Sequence, residues 1–269
     1  MTVSILGCGW YGLALAKALY TDGFVVKGST TSAEKLSQIE NNCILPYQIK
    51  LDTGIEIIDP DFFRCDILVV CITPKTKTGK GRDYLPKLNR IIEITLQNNI
   101  EKVIYISSTG VYADKNKEVN ELTDPEPDSE SGRLLLDGEQ LFQKETAFKT
   151  TIIRFGGLVG PGRHPGRFFA GKMDIPNGQA PVNLIHLDDC VGLTRAIIEK
   201  NAFGYVFNAS SSDHPMKVDF YLHAAKQGGF VLPEFVDELK SWKIVNSVLL
   251  TEVLNYQFKI PKWAGCNFN

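Results

Sequence analysis

The chain has 269 residues, 43% of them hydrophobic, with 29 basic and 31 acidic side chains and a formal net charge of −2. That balance leaves no electrostatic footprint for nucleic acid, and no stretch approaches the roughly 18 apolar residues that a membrane span requires. A soluble, cytoplasmic protein with neither a nucleic-acid nor a membrane partner is expected, long enough for one large α/β core with or without a small cap.

The six cysteines (Cys8, Cys43, Cys65, Cys71, Cys190 and Cys266) are scattered, form no CxxC pair and have no histidine at metal-ligand spacing. Reduced thiols and no metal site are expected. Cys8 lies beside a predicted helix N-terminus that would favour a thiolate, but a small side chain fitting between two glycines explains it better.

Taken in chain order, the apolar run Val3–Leu6 predicts a strand. Directly behind it comes Gly7-Cys8-Gly9-Trp10-Tyr11-Gly12, then a helix over Leu13–Tyr20 with Leu15, Ala16 and Leu19 on its inner face. A glycine loop between a buried strand and an amphipathic helix is a phosphate cradle: Gly7 allows the turn, Gly9 lets backbone approach a diphosphate, and Gly12 lets the helix pack close. The free amides of the helix point at the anion. Gly7, Cys8, Gly9, Trp10, Tyr11 and Gly12 are therefore expected to hold a dinucleotide.

A second strand, Phe24–Lys27, runs into Gly28-Ser29-Thr30-Thr31. An NAD site closes this strand with a carboxylate that binds the ribose hydroxyls, and none is present. The hydroxyls of Ser29, Thr30 and Thr31, with Lys27 beside them, suit a 2′-phosphate instead. NADP is expected, with NAD as the alternative. The same hydroxyls also suit an N-cap ahead of a helix over Ala33–Ile39, and the two roles are compatible.

The alternation continues with a strand near Tyr47–Leu51 and a continuously apolar one over Ile67–Ile72. A helix over Pro86–Gln97 carries Leu88, Ile91, Ile92 and Leu96 on one side. A strand over Val103–Ile106 ends in Ser107-Ser108-Thr109-Gly110, and a helix over Leu134–Phe142 and a strand over Thr151–Phe155 follow. Strands alternating with helices predict a doubly wound parallel sheet, a Rossmann α/β fold, over residues 1–155. From Gly156 the character changes. Glycine, proline and arginine crowd Gly156–Gly171, a loop over the open end of the sheet. Asp188 and Asp189 are expected to cap a helix over Cys190–Glu199, and Phe203–Asn208 reads as a strand and Val218–Lys226 as a helix. Residues 156–269 are expected to form a small substrate-binding cap with segments returning to the sheet.

Arg163, His164, Arg167 and Lys172 make the concentrated positive patch of the sequence. Two arginines between glycines offer planar forks on a loop beyond the strand ends, so a small anionic substrate is expected there. His186 is placed on the same side. It can titrate near neutrality, although a buried, hydrogen-bonded ring is the preferred reading for such a residue. His214-Pro215 is expected at the rim of the cleft.

At this point the chain resembles the extended short-chain dehydrogenase/reductases, the NAD(P)-dependent epimerase/dehydratase superfamily. The likeness rests on the glycine loop, Val103-Ile104-Tyr105-Ile106-Ser107-Ser108-Thr109-Gly110-Val111-Tyr112, Gly138-Glu139, the segment Arg154–Gly162, and Leu184-Ile185-His186-Leu187-Asp188-Asp189. The run Gly160–Lys172 is similar to an atypical, YeeZ-like branch. The resemblance implies further cofactor contacts at Ile72, Thr73, Ser107 and Gly157, and a catalytic hydroxyl at Ser108. It also implies a YxxxK pair eight and four residues before Glu139, where the chain has Ser131 and Leu135. Serine offers no phenolate, and leucine can neither tune a neighbour nor bind a ribose. Tyr112 and Arg133 are the candidates to compensate, the arginine as an anion or ribose contact and not as a proton carrier.

Three functions follow as expectations. The first is an NADP-dependent oxidoreductase or epimerase/dehydratase-like enzyme with a rearranged acid/base group, acting on a small anionic substrate such as a sugar nucleotide. The second is a cofactor-binding sensor or regulator without turnover. An S-adenosylmethionine enzyme is the third, opposed by Ser107–Tyr112 and Arg154–Gly162. The resemblance also implies a homodimer through the helices over Pro86–Gln97 and Leu134–Phe142, and Leu134-Leu135-Leu136 has more apolar surface than one core face needs.

Overall fold

Ile67-Leu68-Val69-Val70 is apolar at every position because the strand it forms is covered on both faces: Ile67 and Val69 join one core, Leu68 and Val70 another. The computed structural model describes residues 1–52, 54–76, 79 and 81–268. Through the first half the chain forms β1 (Thr2–Leu6), α1 (Trp10–Thr21), β2 (Val25–Thr30), α2 (Leu36–Glu40), β3 (Leu45–Gln48), β4 (Lys50–Asp52), β5 (Ile55–Ile57), β6 (Ile67–Val70), α3 (Tyr84–Gln97), β7 (Lys102–Ser108) and β8 (Lys117–Val119). It continues with α4 (Glu130–Lys144), β9 (Lys149–Phe155), β10 (Gly157–Val159), β11 (Leu184–His186), α5 (Leu187–Glu199), β12 (Val206–Ala209), α6 (Lys217–Gln227), β13 (Lys243–Val245) and α7 (Leu249–Glu252).

Seven strands make one sheet in the order β12-β9-β7-β6-β1-β2-β3, and every pairing in it is parallel. The expected Rossmann fold is observed. Strand order reverses between β1 and β6, and the crevice that such a reversal opens at the strand carboxyl ends is where open α/β sheets take ligands. The glycine loop leaves β1 at that point. Helices α1 and α5 pack together over one face of the sheet, α3 and α4 over the other. A third core, built around Phe220, Tyr221, Trp263 and Phe268, belongs to the C-terminal part.

Several elements differ from the sequence reading, each for a local reason. The third strand divides: Leu45–Gln48 joins the sheet edge, where Pro46 is tolerated, whereas Lys50–Asp52 pairs antiparallel with Ile55–Ile57. Helix α4 begins at Glu130 and not at Leu134, because Ser129 caps it, its Oγ accepting from Gly132 N at 3.1 Å. Helix α5 is capped by neither aspartate. His186 does so, its Nδ1 accepting from Asp188 N at 3.2 Å. Asp189 accepts instead from the amides of Lys259 (2.6 Å) and Ile260 (3.0 Å) and from Tyr256 Oη (3.0 Å), lashing the C-terminal segment across α5. Among the described residues no helix is long and apolar enough to cross a membrane.

Candidate functional site

The glycine loop is built as its spacing requires. Gly7 has φ +104°, a left-handed conformation natural to glycine. A Cβ on Gly12 would lie 2.3 Å from Gly7 O, so only glycine lets α1 close on the turn, while a Cβ on Gly9 would meet nothing within 4 Å. The loop is open where an anion would approach and tight where the helix must pack. Ser29 braces it from β2: Gly7 N donates to Ser29 Oγ (3.0 Å) and Cys8 N to Ser29 O (2.7 Å). The Cys8 sulfur fits over Gly28, which has no room for a Cβ beside it. Burial pushes the Cys8 thiol up to about 12, so the thiolate that a helix N-terminus favours does not form at neutral pH.

A cleft of about 520 Å³ lies over the loop. It is lined by Gly7, Cys8, Gly9, Ser29, Thr30, Thr31, Ile72 and Thr73 among the expected cofactor residues, and also by Lys35, Lys50, Asp52, Tyr84 and Lys87. The sequence reading missed that second group. Lys35 had a signal, since it follows the hydroxyl run within the first turn after β2. Lys50 and Lys87 both pair with Asp52, at 3.8 and 2.5 Å. Lys35 is exposed, and no carboxylate among the described residues pairs with it.

Lys27 is not the cation of this cleft. It is 6% exposed and its Nζ donates to the Asp61 carboxylate (2.9 Å) and to the carbonyls of Asp61 and Arg64. Alternation along β2 puts Lys27 and Ser29 on the same face, but Lys27 reaches back towards Asp61. Ser29, 1% exposed, spends its hydroxyl on Gly7. Thr30 and Thr31 are the hydroxyls left at the cleft edge.

The remaining cofactor candidates are placed differently. Tyr11 is buried, its Oη 2.7 Å from Thr194 Oγ1 and its ring edge-on to Phe155, so only its amide faces the loop mouth. Trp10 Nε1 donates to Pro161 O at 2.7 Å. Ser107 is 4% exposed and donates to Glu139 Oε1 at 2.5 Å. Gly157 pairs with Leu184 in the two-stranded β10–β11 sheet.

The catalytic candidates separate into two groups. Ser108 Oγ accepts from Gly110 N at 3.1 Å, at the turn after β7. The first turn of α4 abuts that turn, because a Cβ on Gly132 would lie 2.3 Å from Gly110 O. Ser108 and the Ser131–Arg133 segment are thereby brought to one place. Arg133 is exposed there, donating one Nη1 bond to Asp128 O (3.1 Å), while Leu135 is buried in the core under α4. Tyr112 points elsewhere. It is 2% exposed, its Oη accepts from Arg154 Nη1 (2.5 Å) and lies 3.0 Å from Asn120 O and 3.2 Å from Asn208 Oδ1. Burial raises its pKa, against the lowering effect of Arg154.

The positive run does not form one anion pocket. The Arg163 guanidinium lies 5.6 Å from the Trp10 ring centroid, that of Arg167 5.5 Å from Phe230, and Lys172 Nζ 5.4 Å from Phe169. His164 and His186 are 6% and 4% exposed, and both rings stand against Phe268. The Nδ1 of each accepts a backbone amide, from Gly166 and Asp188 respectively. Burial lowers both pKa values. The Arg167 charge adds to the effect at His164, and Asp188 and Asp189 oppose it at His186.

No family model matches the chain. It is 33% identical over 266 residues to protein YeeZ of Escherichia coli K12, covering 96% of each chain. Solved structures that share its fold include a conserved protein from Silicibacter pomeroyi (TM-score 0.80, 23% identity, 97% and 95% of the two chains) and the UDP-glucuronic acid 4-epimerase of Bacillus cereus in complex with NAD (TM-score 0.80, 19% identity, 97% and 92%). With a glycine loop at the switch point of a seven-stranded parallel sheet and that identity across nearly its whole length, the chain belongs to the YeeZ family, on a fold that it shares with solved NAD-bound epimerases.

Proposed function

We propose that the protein binds NADP and is an oxidoreductase or epimerase/dehydratase-like enzyme acting on a small anionic substrate, with a sugar nucleotide as the class that the UDP-sugar epimerases of the same fold suggest. The observation that carries the cofactor reading is the cleft over the glycine loop: Gly9 open to an anion, Gly12 closed on Gly7, Thr30 and Thr31 where β2 ends, and Lys35 in the turn that follows, all lining the cleft. A 2′-phosphate there meets two hydroxyls and an ammonium, and the carboxylate that also lines the cleft, Asp52, is paired with Lys50 and Lys87. Residues 1–155 supply the cofactor side and residues 156–269 the substrate side, with α5 and β12 returning to the sheet.

Substrate positioning falls to the turn where Ser108 meets the start of α4. The bound nicotinamide would supply the hydride chemistry. Ser108 would orient the substrate, and Arg133 would neutralise an anionic group without carrying a proton. Titration with NADPH and NADH, followed by a panel of sugar-nucleotide, keto and aldehyde substrates read by nicotinamide absorbance and mass spectrometry, tests the proposal. Tighter binding of NADH overturns the NADP assignment, and no product across the panel overturns the enzyme assignment.

A second reading, a cofactor-binding sensor, is favoured by one specific pair of facts. Leu135 is core where a lysine would work, and the Tyr112 hydroxyl is buried against Arg154. Recruitment of a protein partner only in the presence of NADP would support it, and clean turnover would exclude it.

A further inference from the structure

We propose that Arg163 serves the diphosphate of the cofactor, not the substrate, and that Trp10 holds it there, so that cofactor binding fixes the turn over Gly160–Arg163. The inference rests on the dinucleotide reading of the cleft.

Trp10 immediately follows Gly9, which lines the cleft, and it is the first residue of α1, where backbone amides are unspent and the helix dipole is positive. Its indole is not idle. Nε1 donates to Pro161 O at 2.7 Å, bridging 151 positions of sequence, and the Arg163 guanidinium lies over the same ring. Stacking on an aromatic face fixes the plane of a guanidinium while leaving its edge open for anions. A Cβ on Gly162 would sit 3.8 Å from Trp10 Nε1, so the turn and the indole are in contact along its length.

The hydrogen bonds of Arg163 show which part of it is committed. Nε donates to Leu158 O at 2.9 Å, which anchors the side chain to the preceding strand β10. Nη1 and Nη2 donate to no acceptor among the described residues, and no carboxylate among them neutralises the charge. Arg90, Arg154 and Arg195 differ, each paired with an acidic side chain. Gly7–Gly12 has no charged side chain of its own. The loop itself therefore offers a diphosphate only amides, and the Arg163 fork, held over the Trp10 ring that follows Gly9, has open donors beside it. One guanidinium edge spans two phosphate oxygens. Because the same arginine is tied to Leu158, and Pro161 to Trp10, occupancy of the loop would hold the turn that precedes His164 and Arg167.

The test is calorimetric titration of NADP⁺ and of 2′-AMP, which has no diphosphate, into the wild-type protein and the Arg163→Ala, Arg163→Lys and Trp10→Phe variants. Arg163→Ala is expected to weaken NADP⁺ by about ten- to hundredfold, the effect of losing charge-assisted bonds, and to leave 2′-AMP unchanged. Arg163→Lys keeps the charge without the fork and should recover part of the loss. Trp10→Phe keeps a ring but not the Pro161 bond, and should weaken NADP⁺ less than Arg163→Ala does. Unchanged NADP⁺ affinity in Arg163→Ala overturns the proposal while the cofactor reading stands, and so does an equal loss for both ligands. Failure of the wild-type protein to bind either NADP⁺ or NAD⁺ overturns both.

Discussion

Arg154 Nη2 lies 2.6 Å from Glu139 Oε2, and the two side chains are 6% and 0% exposed. One comes from β9 in the sheet and the other from α4 above it, and the pair organises the floor beneath the turn after β7. Ser107 donates to the same carboxylate, and Arg154 donates its remaining edge to Tyr112. Burial alone would lower the arginine's pKa, but Glu139 and Tyr112 raise it on balance. Every polar group in the cluster has a partner, as a buried network requires.

Removing one partner of such a pair leaves an uncompensated charge in the core. Glu139→Ala is therefore expected to destabilise the protein by about 3–5 kcal/mol, read from the urea midpoint. Replacing both residues with apolar ones of similar volume should cost much less. A single-variant loss comparable to that of a surface ion pair would show that the network is wetter than its burial implies.

The contact between Gly132 and the carbonyl of Gly110 makes a sharper demand. Gly132→Ala puts a methyl group 2.3 Å from that oxygen, and neither backbone can yield without lifting α4 from the Ser108 turn. Alanine favours the helix intrinsically, so propensity predicts stabilisation and packing predicts a loss of about 1–3 kcal/mol. Thermal melting decides between them, and a rise in midpoint would mean that the two elements are not held in register as described.

The two ends of this contact were unequally legible in sequence. The parallel sheet, the glycine loop and the cleft could be read from periodicity and spacing, because burial on both faces of β6 and steric exclusion at Gly12 leave a direct mark on residue type. Side-chain direction leaves no such mark. Lys27 and Lys35 are both basic residues near the end of β2, and nothing local says that Asp61, more than thirty positions away, claims the first. The same holds for the positive run after Gly160. Four basic residues close in sequence resolve into separate aromatic contacts, three of them with Trp10, Phe230 and Phe268 from distant segments and one, Lys172, with its near neighbour Phe169. The cap of α5 was misassigned to the aspartates because histidine is an uncommon cap, and His186 takes the role through Nδ1 only when its ring is buried and neutral.

That neutrality has a pH consequence. The folded pKa values of His164 and His186 lie below the ordinary value of 6.5. For a group depressed on folding, the unfolded chain takes up the proton first, so stability is full above the unfolded pKa and falls as pH drops through 6.5 towards the folded value. The melting temperature should be flat on the alkaline side and decline through that window. His186→Asn keeps an acceptor for the Asp188 amide and removes the titration, and should flatten part of the decline. An unaltered slope would assign the acid sensitivity to His164 or to carboxylates.

The proposed NADP binding makes Lys35 the residue to test for cofactor preference. Lys35→Ala is expected to weaken NADP⁺ about tenfold, the loss of one charge-assisted contact to phosphate, and to leave NAD⁺ unaffected. Thr30→Asp should do more, repelling a 2′-phosphate while offering the ribose hydroxyls a carboxylate, and so reverse the preference. The ratio of the two dissociation constants is the measurement. A ratio unmoved by either substitution would place the 2′ position away from the end of β2.

The outer faces of α3 and α4 carry the last expectation. Leu85 and Ile92 are half-buried and Leu96 is 38% exposed, spaced so that they share one stripe of α3. Leu134 and Leu141, also half-buried, repeat on α4, which packs beside it. A two-fold axis against these helices would bury both stripes in a four-helix interface, self-complementary as such an axis requires. Sedimentation should find a dimer at micromolar concentration. Ile92→Glu and Leu96→Glu, which place like charges across that axis, should yield folded monomers with an unchanged sheet by circular dichroism. A wild-type monomer, or a dimer indifferent to both substitutions, would leave the stripes as ordinary surface apolar residues and move any interface elsewhere.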